Sequence, residues 1–304
     1  MAQTELFPDG TPVDEWFRDD KVPSLDELGE HYLITEYGVK DDGKVHTGEF
    51  QALIDLIHDK GGGLIVVPEG IYLTGSLFFK QDVNMYVSSR GMIKGSDDIS
   101  DYAIVDTRIE GENCRYFAAL INLDGIDGMT ICGNGAIDGN GLRSWKGFWK
   151  RREWNPECTN KDEQRAKLIY ISNSKNITIA GLHIQNAQYG TNHIYKSDHI
   201  KYLDCKITAP VSPVPAPGTD AINIDESSDI LIKNCYMSVS DDAVVMKNGP
   251  EIAGAEASER IVIENCTLGF SRACINCGTK SAHAAKVLIR NCHDNHKDER
   301  ENRE

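Results

Sequence analysis

The pattern Ile-x-Ile-x-x-Cys, repeated in register, limits what this chain can fold into more than any other feature. Ile200-x-Tyr202-x-x-Cys205-x-Ile207 is matched by Ile230-x-Ile232-x-x-Cys235-x-Met237 and by Ile261-x-Ile263-x-x-Cys266-x-Leu268. Val287-x-Ile289-x-x-Cys292 repeats it again, and an earlier copy, Ile177-x-Ile179-x-x-Leu182-x-Ile184, carries Leu in place of Cys. Within each copy the side chains alternate with period two, so one set points inward as in a strand. The copies begin 23, 30, 31 and 26 residues apart, which is the spacing of repeat architectures. Stacked coils would line up Cys205, Cys235, Cys266 and Cys292 as an interior ladder of small apolar groups. The pattern predicts an all-β chain wound as a right-handed parallel β-helix.

The rest of the chain divides around those coils. Residues 1–35 are acidic and punctuated by Pro8, Gly10, Pro12 and Pro23, an irregular lead-in. Phe50, Leu53, Ile54 and Ile57 then fall at i, i+3, i+4 and i+7, predicting one amphipathic N-terminal helix that caps the solenoid, stopped at Gly61-Gly62-Gly63. From Leu64 onward short β-rich runs alternate with Gly, Asn, Asp and Ser. The expected single β-helix domain spans residues 36–292. Residues 293–304 are a charged tail without an apolar side chain, expected to be disordered and to leave the last coil uncovered. Between residues 143 and 168 lies an insertion that opens with Arg143, Trp145, Lys146, Phe148, Trp149, Lys150, Arg151, Arg152 and Trp154. Aromatic faces stack on sugar rings and basic groups pair with carboxylates, so this segment suits a saccharide cleft; packing on the solenoid wall is the equal alternative.

Composition narrows the partners. The net charge of −15 argues against nucleic acid, which demands a positive field. No apolar run is long enough to cross a bilayer, and Met1–Pro8 has neither the basic start nor the apolar core of a signal peptide. Nine cysteines include one C-x-x-C, Cys274 and Cys277, with no second pair to complete a zinc site. No cofactor or structural metal is expected.

Chemistry concentrates in Gly218-Thr219-Asp220-Ala221-Ile222-Asn223-Ile224-Asp225 and in Ser240-Asp241-Asp242-Ala243-Val244-Val245-Met246-Lys247. One turn of the coil between them would bring Asp220, Asp241 and Asp242 together. Three adjacent carboxylates bind a cation, share a proton or perform acid/base chemistry. A solvated turn, or a calcium site, would also place acids on a solenoid.

In order and context these motifs resemble the polygalacturonases, the pectin hydrolases of glycoside hydrolase family 28, over about residues 35–292. That family carries Asn-Thr-Asp-Gly, Gly-Asp-Asp, Gly-His-Gly and Arg-Ile-Lys on successive coils of a right-handed parallel β-helix. Gly218-Thr219-Asp220-Ala221 takes the first place and Ser240-Asp241-Asp242 the second; Asn186-Ala187-Gln188-Tyr189 with His193 is similar to the family's Asn-Ser-Pro-Trp…His stretch. Arg272 stands where the family has its histidine, and Arg-Ile-Lys would fall beyond Cys292, so the chain reads as C-terminally truncated. The resemblance implies hydrolysis of α-1,4-galacturonosidic bonds with inversion, Asp241 acting as general acid and Asp220 and Asp242 activating water. It implies that Lys247, Arg272, Trp145, Trp149 and His193 bind substrate, a pectic polysaccharide or oligogalacturonide, in a secreted or periplasmic setting. Two other readings stay open: a carbohydrate-binding β-helix with impaired catalysis, and a calcium-dependent pectate lyase with Arg272 as base. Endo or exo cleavage and the oligomeric state are open as well.

Overall fold

The computed structural model describes residues 5–247, 257–278 and 284–295. Among them, parallel strands form sheets of nine, eight and seven members, and one antiparallel hairpin stands apart. Each coil contributes a strand to each sheet in turn, which is the expected parallel β-helix, and the crossovers take the right hand that twisted strands favour. The repeats stack in the register read from the sequence. Ile200 pairs with Ile230, Ile230 with Ile261 and Ile261 with Val287; one step on, Tyr202, Ile232 and Ile263 make a second, buried row, which Ile289 continues as an exposed residue on the last described coil.

The corner before each cysteine has a physical cause. Asp204, Asn234, Asn265 and Asn291 all sit at positive φ, between 51 and 57°, a left-handed turn that short polar side chains tolerate. Asn234 Nδ2 also donates to Asp204 Oδ1 at 3.0 Å, tying successive corners together. Cys205, Cys235 and Cys266 are buried just beyond those corners, the thiol of Cys235 donating to the Lys233 carbonyl at 3.4 Å. A second ladder escaped the sequence reading. Ser174 N donates to Ser197 Oγ and Ser197 N to Ser227 Oγ, each at 3.1 Å.

Helix α1, Thr47–Asp59, buries Phe50, Leu53, Ile54 and Ile57 against the first coil as expected. A second helix corrects the expectation of a single one: α2 spans Leu142–Trp154, inside the insertion. Its signal was present, since Trp145, Phe148 and Arg152 recur at three- and four-residue intervals on one face. Trp145 and Phe148 are buried, and Arg152 lies over the Phe148 ring.

The lead-in is irregular but packed. Phe7, Val13, Phe17 and Leu28 cover the outward Leu203, Leu231 and Val262 of the nine-stranded sheet, Lys233 pairs with Asp20 at 2.9 Å, and His31–Leu33 joins the sheet as a short strand. At the other end His293–Asp294 pairs with Thr267–Leu268; the remaining tail, expected to be disordered, lies outside the described residues from 296 on. Among the described residues no helix is long and apolar enough to cross a membrane.

Because the lead-in covers apolar strand faces, truncating its anchor should unsettle the whole solenoid. Phe17 is 1% exposed, so Phe17→Ala is expected to cost about 3–5 kcal/mol in urea-induced unfolding; a loss within about 0.5 kcal/mol, the range of surface substitutions, would show that the strap is dispensable.

Candidate active site

The site lies on the outward face of the seven-stranded sheet, and strand register assembles it. Ile222 pairs with Val244, so Asp220 and Asp242, each two residues earlier, occupy equivalent places on adjacent coils. Ala221 N donates to Asp242 O at 2.9 Å, and Asp242 N donates to Asp220 Oδ1 at 3.2 Å. Asp241 completes the group, one carboxylate oxygen from each of the three lying within 4.8 Å of the others. Lys247, two positions past Val245 on the same outward face, reaches back to place Nζ 2.9 Å from Asp220 Oδ2. Asn276, on the next coil, donates to Asp242 Oδ2 at 2.7 Å.

This geometry separates the three acids. Burial pushes the Asp241 carboxyl up to about 6, helped by the charges of Asp220 and Asp242 and only partly opposed by Lys247 and Arg272. Burial would lower the Lys247 ammonium, but Asp220 and Asp241 outweigh it and hold it above its ordinary value. Asp242 Oδ1 is buried and accepts no hydrogen bond among the described residues; such an acceptor is costly unless water or a proton donor reaches it. The cluster therefore combines an acid poised near 6 with two neighbouring carboxylates, one held by an ammonium and one with an acceptor to spare. A divalent cation fits it poorly, because Lys247 already supplies the counter-charge at Asp220.

A second layer lies beside the acids. The cavity that holds Asp220 and Lys247 is also lined by Lys167, Tyr189, His193, Asn223, Asp225, Glu110 and Gly111. His193 Nε2 lies 3.2 Å from Asp225 Oδ2, and burial pushes the imidazole down to about 4, so it is neutral and donates to that carboxylate. Burial pushes Asp225 up, but the hydrogen bonds from His193 and Arg108 outweigh it and hold the acid ionised. Lys167, wholly enclosed, falls to about 7 because burial disfavours its charge.

The expected site residues thus fall into three groups. Asp220, Asp241, Asp242 and Lys247 come together, and His193 opens onto the same cavity. Arg272 is exposed; its backbone N–H donates to Asp241 O at 2.8 Å, which sets it beside the acid pair. The tryptophans stand elsewhere. Trp145 is buried, with Nε1 donating to Ala187 O at 2.9 Å, so it anchors α2 rather than offering a face to a sugar. Trp149 is half exposed and donates to Pro215 O at 2.8 Å, against Lys146, Lys150, Pro213 and Val214. Sequence reasoning missed Lys167, Asn223, Asp225 and Arg108. Asn223 and Asp225 were within reach, since they alternate with Ile222 and Ile224 on the outward face.

The family model for glycosyl hydrolases family 28 matches residues 67–276, more than half of the chain. The chain belongs to glycosyl hydrolases family 28. Its relatives include the polygalacturonase of Persea americana, 24% identical over 84% of this chain and 51% of the relative. Endo-xylogalacturonan hydrolase A of Aspergillus tubingensis is 27% identical over 67% of this chain and 47% of its own length. Among solved structures, the exopolygalacturonase of Thermotoga maritima superposes with a TM-score of 0.76 at 22% identity, covering 91% of this chain and 69% of that one; this likeness shows the right-handed β-helix. The chain spans about half the length of the curated relatives it matches.

Within this family 28 chain the raised Asp241 carboxyl has a consequence for stability. A group whose folded pKa lies above its unfolded value favours the folded state below the unfolded value, near 4, and that contribution is lost as pH rises through about 6. Asp241→Asn removes the ionisation, so its melting temperature should exceed the wild type's at pH 7 and converge with it below pH 4. A mutant that melts at or below the wild type at pH 7 would show that Asp241 carries no such strain.

Proposed function

We propose that this chain hydrolyses α-1,4-galacturonosidic linkages of pectic polysaccharide or oligogalacturonide. The observation that carries the reading is one carboxyl raised to about 6 within 4.8 Å of two others. Asp241, protonated in mildly acidic solution, donates its proton to the departing glycosidic oxygen. Asp220 and Asp242 activate the attacking water, for which Asp242 Oδ1 is an available acceptor. Lys247 holds Asp220 in place through its ion pair and adds positive charge for a uronate ring, as does the exposed Arg272 beside Asp241. His193 supports this face indirectly, through Asp225. A pectic substrate, a cell-wall polymer, fits a secreted or periplasmic enzyme.

One oxygen of each acid lies within 4.8 Å of the others, below the ~6.5–9.5 Å between carboxyl groups usual for inverting enzymes and nearer the ~5–5.5 Å of retaining ones. Two bases sharing one water replace the usual single base, and the reading retains inversion. That close spacing is the specific observation favouring a retaining route, and the first-formed product anomer, followed by NMR, decides between them: β from the α-linkage for inversion, α for retention.

The direct test is reducing-end release from polygalacturonate in the presence of a chelator, with Asp241→Asn alongside. Release should be indifferent to chelator and fall by at least about a hundredfold in the mutant, general acid catalysis contributing ~10²–10⁴. In the wild type kcat/KM should decline as pH rises through about 6, as the acid loses its proton. Calcium-dependent formation of an ultraviolet-absorbing product would instead establish a lyase. A folded protein that binds pectin without turnover would establish the carbohydrate-binding reading.

A further inference from the structure

The outward groove of the seven-stranded sheet is interrupted by the antiparallel hairpin Ile104–Ile109 and Glu112–Phe117. The hairpin is pinned by its own arginine. Arg108 places Nε 2.6 Å from Asp225 Oδ2 and NH2 2.6 Å from Glu226 Oε1, with its guanidinium 4.3 Å over the Tyr195 ring. Arg108, Asp225 and Glu226 are 4, 0 and 7% exposed, so separating them would strand buried charges. Lys167 adds a hydrogen bond to the Arg108 carbonyl, and at the tip Lys161 pairs with Glu112 and Asn160 donates to Glu110.

The hairpin divides the groove in two. On one side its tip residues Glu110 and Gly111 wall the small cavity that holds Asp220 and Lys247. On the other the groove reopens as a separate cavity of about 400 Å³, where Val105 and Thr107 of the hairpin face Asn122, Asp124, Tyr170 and Tyr195 of the sheet. An extended polymer cannot run from the second cavity past the acids without displacing the buried Arg108 cluster. Beyond Asp241, in the direction of the following coil, the exposed Arg272 borders the site.

We propose that the hairpin makes the acid cluster a blind site, so that the protein takes the end of a pectic chain and releases a short product of constant size. The inference rests on the hydrolase reading and adds the mode of attack. In a groove open at both ends every internal bond can be presented to the acids; in a blind one only bonds near a terminus reach them.

The test uses oligogalacturonides of graded length, with all products resolved by size, together with the viscosity of polygalacturonate. Every substrate length should yield the same short product from the first time point, and viscosity should fall far more slowly than reducing ends appear. A spread of intermediate products with an early drop in viscosity would overturn the inference while leaving the hydrolase reading intact. Absence of cleavage would overturn the hydrolase reading and this inference with it. A variant with residues 106–115 replaced by a two-residue turn should broaden the products; a folded variant with unchanged product size would show that the hairpin does not set the mode. Should that variant not fold, the product pattern of the unaltered protein still decides.

Discussion

In-register stacking of one coil on the next is the constraint on which everything else depends. It sets each outward side chain directly over its counterpart about 4.7–4.9 Å away, whatever the chemistry of the two. Inside, the consequence is benign: isoleucines stack on isoleucines and thiols on thiols. Outside, the same rule forces Asp220 against Asp242 and Asp225 against Lys247. A solenoid cannot slide one coil to relieve a bad pair, because slipping by one residue would turn every interior side chain outward. Core packing therefore holds charges where they would not choose to sit.

Electrostatics then distributes the strain. Lys247 and Asn276 each satisfy one member of the acid group, Asp220 and Asp242 respectively, while Asp241 takes the rise in pKa that burial, and then crowding, demand. A few ångströms away the same problem is solved differently: Arg108 comes in from the hairpin to neutralise Asp225 and Glu226. The first solution leaves a proton to give; the second is a closed structural joint. In the proposed reading, acid chemistry belongs to the incompletely paired cluster, and the fully paired one shapes access to it.

The coils and the acid group were legible in the sequence because both follow from local periodicity. Ile-x-Ile-x-x-Cys states strand and corner together, and one coil separates Asp220 from Asp242. The hairpin was not legible: Arg108 meets partners more than a hundred positions away, and nothing near it in the chain reports that distance. Helix α2 was misread for a different reason. Its aromatic and basic residues suit a sugar platform and packing on the solenoid wall equally, and the buried Trp145, bonded to the Ala187 carbonyl, decides for the wall. The lead-in lacks any repeat, yet Phe17 and its neighbours cover a sheet face that the alternation of Leu203, Leu231 and Val262 leaves apolar. Residues that serve another element carry no period of their own.

The central claim is that burial, with crowding by Asp220 and Asp242, leaves Asp241 protonated where an isolated aspartate would be ionised. The most direct measurement is a titration of carboxyl carbon resonances in protein labelled with carbon-13 at aspartate, with Asp241→Asn supplying the assignment. The account predicts a resonance missing from the mutant whose midpoint lies near 6 in the wild type. A midpoint near 4, the ordinary aspartate value, would contradict it and remove the physical basis for an acid at this position.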